Sequence, residues 1–462
     1  MFGSPSPSSS TGEEDQERNN RKKKKKVSKA LINASNYSGS NNNRRQDGFD
    51  DSEGYYKASI GEIMDLEVIG YSNNNIDNSS DNDNNNTLRL RVLGVIGKGV
   101  FSSVLKCSTT HQTTTTNTLA VKCIRSNETM TKAAINEMKF LIRLTRDKKC
   151  SGIVPLLLPK SNSNSNSNSN ALPPSIDFRG HTLLIFPYLP YNLRDVLQKF
   201  GKGIGLSLSA VSNYYQQLLS AALHLQKHCI IHCDIKPDNI LVSHDFKQLL
   251  IADFGSAIEA TTTTMSTKGD DDDTTTGGVS INEIITPYLV SRFYRSPEII
   301  LGLSNQITYG IDLWSLAVTA GELFLGKVLF NGSNNNDMLY VIMTNLGPFS
   351  SRIIRSHLLQ SKKHPELIPA HFSQVQSNYV FRKETVDTVL DQAVHKEISL
   401  GSNFNKPSLQ SRLLKARSPK DKRIHVMKFA DLLSKCLVLD PSKRISVKSA
   451  LKHDFFTTPS SS

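Results

Sequence analysis

Apolar residues recur at two different periods along this chain, and the change of period divides it. Three segments, 88–96, 103–107 and 119–125, carry the short-period pattern of strands. The turn Gly97-Lys98-Gly99 separates the first two, so three antiparallel strands in succession are predicted. A helix is expected over about 131–145, where Ala134, Glu137 and Leu141 share one face at spacings of three and four. Glu137 therefore points inward, and a buried carboxylate is costly unless a cation pairs with it. Lys122, alternating with apolar neighbours on the third strand, is the available cation. A further strand, 182–186, leads into the hinge-like Pro187-Tyr188-Leu189-Pro190, beyond which helical pattern dominates.

Two later segments complete the pattern. Residues 240–242 and 249–252 are short apolar strands joined by a polar turn, so a hairpin is expected to return Asp253 beside Asn239. The longest apolar run, 311–325, contains Asp312 and Glu322 and falls short of the roughly twenty residues a bilayer needs. It is expected to be a buried helix, with no membrane association.

Polar, biased segments interrupt this frame. Residues 1–50 hold few large apolar side chains and are expected to be a disordered tail, because they cannot bury enough surface to offset chain entropy. Within the tail, the basic block 21–26 fits a nuclear-import address or a weak polyanion contact, RNA included. An Asn-rich stretch at 73–86, a Thr run at 113–116, a Ser-Asn repeat at 161–170 and a Thr/Asp/Gly stretch at 260–278 read as loops, each placed so that the apolar elements stay whole.

Composition narrows the class. With 462 residues and 38% hydrophobic positions, the chain is long enough for two or three domain-sized units. The 55 Lys and Arg against 42 Asp and Glu give a net charge of +13, which favours acidic partners such as ATP, phosphopeptides or nucleic acid. Six cysteines form no CxxC pair, so neither zinc nor a disulfide framework is indicated, and a reducing compartment is the simpler setting. The N-terminus lacks the apolar core of a secretory signal.

The candidate chemistry is concentrated in His232-Cys233-Asp234-Ile235-Lys236-Pro237-Asp238-Asn239, followed fourteen residues after Asn239 by Asp253-Phe254-Gly255. An amide oxygen and a carboxylate converging on one point suit a hard cation such as magnesium, which prefers oxygen donors. Upstream, Gly97, Gly99 and Val104 form GxGxxSxV, with Ser102 where a third glycine is common. Such glycines let backbone N–H groups approach phosphates with no Cβ in the way. Phosphoryl transfer asks mainly for alignment and charge neutralisation, and the residues divide accordingly. Lys122, paired with Glu137, is expected at the α/β-phosphates, Lys236 at the γ-phosphate, Asn239 and Asp253 at magnesium, and Asp234 at the acceptor hydroxyl. The nucleotide site is expected to comprise Gly97, Lys98, Gly99, Val104, Ala120, Lys122, Glu137, Phe186 and Leu189.

These motifs resemble the eukaryotic protein kinase set over about residues 88–457, and 286–298, TPYLVSRFYRSPE, resembles its CMGC branch. Closer still, Glu53-Gly54-Tyr55-Tyr56-Lys57, GKGVFSSV, DIKPDNILV and TPYLVSRFYR are similar to the spliceosome-associated pre-mRNA-processing kinases of the Prp-four type, relatives of the dual-specificity tyrosine-regulated kinases. The resemblance implies an α+β bilobal fold, with an extension at 51–87, a small β-rich lobe at 88–186, a hinge at 187–190 and a mainly helical lobe at 191–457. It also implies a serine/threonine kinase in the nucleus, with protein substrates that include splicing factors; ATP and magnesium are the expected cofactors from the residues above, and a monomer is expected.

By the same resemblance Asp312 holds the backbone around Asp234, Glu298 pairs with Arg444, and the basic, irregular stretch at about 346–425 is a CMGC-type insert. Cys233 stands where an arginine usually binds an activation-loop phosphate, so that route of control is not expected. Thr286, Tyr288, Arg292 and Arg295 form the expected activation-loop set. Tyr288, four residues before Arg292 and seven before Arg295, is expected to be phosphorylated in cis and to pair with those guanidinium groups. A pseudokinase scaffold and a related kinase with non-splicing substrates are the competing readings.

Overall fold

The computed structural model describes residues 48–67, 87–109, 118–147, 152–157, 176–260, 289–303, 306–387, 392–404 and 408–457. The tail and the four low-complexity stretches lie wholly or largely outside these, as do Thr286 and Tyr288. The described residues from Phe49 onward form one compact unit.

Its first layer is a six-stranded antiparallel sheet in the order β1-β2-β3-β4-β6-β5. The strands are β1 Ile63–Glu67, β2 Thr87–Lys98, β3 Ser102–Thr109, β4 Thr118–Ile124, β5 Ile176–Phe178 and β6 His181–Pro187. Alternation along β4 decides what each face does. Leu119, Val121 and Cys123 point into a small core with Met64, Leu66, Leu90 and Leu105, while Ala120 and Lys122 point to the opposite face. β1 comes from the stretch read as an extension. Its five residues alternate only briefly, with Met64 and Leu66 buried around exposed Asp65, and pairing with β2 fixes it at the sheet edge.

The helix α1, Glu128–Arg146, packs against this sheet and starts earlier than its apolar face suggests. Asn127 caps it by accepting from the Thr129 and Met130 amides, so six residues, four of them polar, are helical ahead of the first buried position, Ala134. Ala134, Glu137, Met138, Leu141 and Leu144 are its buried face.

Helices dominate beyond the hinge. The central one, Gly310–Leu325, is buried at every position from Ile311 to Leu325 and ends at Gly326, whose φ of 72° is the left-handed stop that glycine permits. No helix among the described residues is long and apolar enough to cross a membrane. The stretch 346–425 is more ordered than its sequence suggests. It contains the helix Ser351–Lys363 and a three-stranded antiparallel meander, Phe372–Val375, Asn378–Asp387 and Gln392–Ser399. Positions 394–397 of the last strand are all exposed, so there is no alternation for a sequence reading to detect, and the register is held by cross-strand pairing instead.

The expected Glu298–Arg444 pair is present and buried: Nη1 and Nη2 reach the two carboxylate oxygens at 2.7 and 3.0 Å, with each side chain only 1% exposed. The guanidinium also donates to the carbonyls of Gly310 and Val438, which joins three segments of the helical lobe. Removing one partner strands a buried charge. Arg444→Met should therefore lower the unfolding free energy by about 3–5 kcal/mol; a urea denaturation midpoint equal to wild type would contradict this.

Candidate active site

The centre of the site is built by a hairpin. Ile240–Val242 and Leu249–Ile251 pair antiparallel, and the Ala252 amide donates to the Asn239 carbonyl at 2.9 Å, so Asp253 emerges beside Asn239 as the sequence predicts. Asp253 itself is left-handed, with φ 66° and ψ 76°, an unusual state for a residue with a Cβ. That turn aims its carboxylate at β4 while Phe254 plugs into the core, edge-on to the His232 ring at 4.7 Å. Gly255 next to it leaves room: a Cβ there would lie 3.4 Å from Asp253 Oδ1.

Three ionic groups meet at this point. Lys122 Nζ donates to both Glu137 oxygens at 2.8 Å and to Asp253 Oδ1 at 2.9 Å. Burial opposes the charge on Lys122, but the two carboxylates outweigh it and hold the ammonium above its usual range. Burial likewise opposes ionisation of Asp253, and Lys122, His232 and Lys236 outweigh it, keeping the carboxyl below its usual range. Both are charged at neutral pH.

The second cluster surrounds Asp234. Its Oδ2 accepts from Lys236 Nζ at 2.6 Å and from Asn239 Nδ2 at 3.0 Å, and its Oδ1 accepts from the Ser291 amide and hydroxyl at 3.1 and 2.7 Å. Lys236 also donates to the Ser291 hydroxyl at 2.9 Å. From beneath, Asp312 accepts the amides of His232 at 2.7 Å and Cys233 at 3.0 Å. Burial pushes the Asp312 carboxyl up, with those amides opposing the shift. Cys233, left-handed at φ 64°, has a buried thiol that burial drives well above its usual range, which suits an inert thiol.

A cleft of about 710 Å³ lies between the sheet and the hairpin. Gly97, Lys98, Gly99, Val104, Ala120, Lys122, Glu137, Phe186, Leu189, Asn239 and Asp253 all line it, so of the residues expected at the nucleotide and the metal Lys236 alone is not in the lining. Asp234 and Lys236 sit at its edge, joined to it through Asn239. The Lys98 ammonium is drawn to Asp51 at 3.0 Å. Asn239 and Asp253 fit a divalent cation: the Asn239 amide nitrogen is taken up by Asp234, leaving its oxygen to a ligand, and Asp253 uses only Oδ1 on Lys122.

In the activation-loop set, Arg292 is exposed, with its guanidinium over the neighbouring Phe293 ring at 5.4 Å. Arg295 is buried and donates to the carbonyls of Leu289 and Val290 and to Asn335. Ser291 and Tyr55 stand in the sequence motifs that carry the family resemblance but were given no part in the site there. Ser291 lies 57 residues from Asp234, and a single serine among Leu289, Val290, Phe293 and Tyr294 carries no signal that chain folding will bring the two together.

The protein kinase domain family model matches residues 90–456. The chain is similar to the serine/threonine-protein kinase prp4 of Schizosaccharomyces pombe, with 34% identity across 89% of this chain and 71% of that protein. It is also similar to the serine/threonine-protein kinase prpf4B of Dictyostelium discoideum, with 33% identity across 88% of this chain but only 42% of that longer protein. The DYRK-family kinase pom1 of S. pombe is more distant, at 26% identity across 89% of the chain and 29% of pom1. With the paired lysine and the hairpin aspartate in one cleft and the Asp234 cluster at its edge, the chain belongs to the protein kinase family, alongside the Prp4-type kinases.

Proposed function

We propose that this protein is a serine/threonine protein kinase that moves the γ-phosphate of ATP to a protein hydroxyl. The observation that carries the reading is the meeting of the Lys122–Glu137–Asp253 triad and the Asp234–Lys236–Ser291 cluster at one cleft. Lys122, held by Glu137, binds the α- and β-phosphates, and the Gly97–Gly99 turn covers them. Asn239 and Asp253 hold magnesium, which when bound neutralises charge on the phosphate oxygens. Lys236 meets the γ-phosphate. Asp234 orients the acceptor and takes its proton; Ser291 already presents a hydroxyl to it at 2.7 Å, the contact an incoming acceptor makes.

The finer reading rests on likeness. TPYLVSRFYR and the two prp4-type relatives support a CMGC kinase acting in the nucleus on splicing-related proteins. We also propose that Tyr288 is phosphorylated in cis. Because the Arg295 donors already serve backbone carbonyls and Asn335, the exposed Arg292 is the first guanidinium such a phosphate would recruit. The basic block at 21–26 lies outside the described residues, and its RNA contact remains a proposal.

Asp234→Asn should slow phosphate transfer to myelin basic protein by about 10²–10⁴-fold while leaving the ATP dissociation constant nearly unchanged; a variant as active as wild type removes the assignment. In protein made in bacteria, mass spectrometry should find Tyr288 modified in wild type and unmodified in the Asp234→Asn variant. An active preparation with unmodified Tyr288 would refute the autophosphorylation. Nuclear extract treated with active protein, compared with extract treated with Lys122→Arg, should gain phosphosites concentrated in splicing factors, and a gain with no such concentration argues for other substrates.

A further inference from the structure

Tyr55, in the segment ahead of the sheet, is 6% exposed, and its phenol lies between two backbone carbonyls of the glycine turn: Gly99 O at 2.8 Å and Val100 O at 2.9 Å. The ring is held from several sides. Lys98 Nζ lies 4.0 Å from its centroid and the Arg125 guanidinium 5.1 Å. Asp51 accepts the Tyr55 amide at 2.9 Å and binds the same Lys98 at 3.0 Å. The Arg125 side chain donates to the Glu53 carbonyl, and the Ser126 amide to the Gly54 carbonyl at 2.9 Å. Residues 51–55 are thus a fixed strap.

The strap lies behind the turn, since Gly99, Val100 and Phe101 line the cleft and Tyr55 does not. In a planar trans peptide the carbonyl and the following N–H point in opposite directions. Holding the carbonyls of Gly99 and Val100 on the phenol therefore turns the amides of Val100 and Phe101 away from Tyr55, toward the cleft. Backbone amides aimed in this way are what a phosphate chain needs. Val100 and Phe101 are 64% and 53% exposed, so packing of their side chains cannot set these peptide planes.

We infer that Tyr55 is a positioning residue for the nucleotide phosphates, acting through the peptide planes of the glycine turn; this rests on the reading of the cleft as an ATP site. The test uses the full chain and Tyr55→Phe, which removes the hydroxyl and keeps the ring beneath Lys98 and Arg125. Affinities for magnesium-ATP and for adenosine, which has no phosphates, are measured by calorimetry. The expected result is ATP binding weakened about three- to tenfold with adenosine binding unchanged, and faster amide hydrogen exchange over 99–102.

Unchanged ATP affinity in Tyr55→Phe would overturn the proposal. So would an equal loss for ATP and adenosine, the mark of a merely structural role. Wild-type protein that binds neither ligand would overturn the ATP site along with it, whereas normal wild-type binding combined with an indifferent variant overturns the role of Tyr55 alone.

Discussion

The site hangs from one buried carboxylate. Asp312 is fixed in a helix that is buried at each of its positions from Ile311 to Leu325, and its oxygens are taken by the amides of His232 and Cys233. A carboxyl group at such depth is tolerable only when donors replace its lost water, and here backbone amides supply them. The chain passing over Asp312 is forced through a left-handed Cys233, and that turn sets the direction in which Asp234 leaves the core. A short thiol side chain tolerates this tight, dry position.

The same logic operates one layer up. Glu137 is buried on its helix because its neighbours on that face are apolar, and Lys122 answers it from the sheet. The pair does more than neutralise itself, because Lys122 reaches a third group, Asp253, and so links the sheet, the helix and the hairpin. Each of the three groups, one ammonium and two carboxylates, is placed by a different element, so the arrangement exists only when all three elements are docked. Three residues around the chemistry, Cys233, Asp253 and Val290, are left-handed without being glycine, as are five described residues elsewhere in the chain.

Much of the frame was legible from pattern. The alternation in β4 put Lys122 on the cleft face, the spacing of Ala134, Glu137 and Leu141 turned the carboxylate inward, and the hairpin at 240–251 brought Asp253 to Asn239. Less was legible where order comes from partners and not from the segment's own residues. β1 is too short for its alternation to stand out, the last strand of the meander at 372–399 shows none over 394–397, and both depend on cross-strand pairing. Helix starts were missed by a few residues because Asn127 caps a polar first turn.

What this sequence determined by itself is therefore local: which segments alternate, which face of a helix is apolar, where glycine permits a turn, and which charged side chains must find partners. Those properties follow from side-chain period and solvation, which neighbours in the chain settle among themselves. The tertiary structure alone decided which partners were found. Ser291 reaches Asp234 across 57 residues, Asp312 reaches the His232 amide across 80, and Tyr55 reaches the glycine turn across 44. A hydrogen bond depends on position and direction to within a fraction of an ångström, and those are set only once every packed element has taken its place.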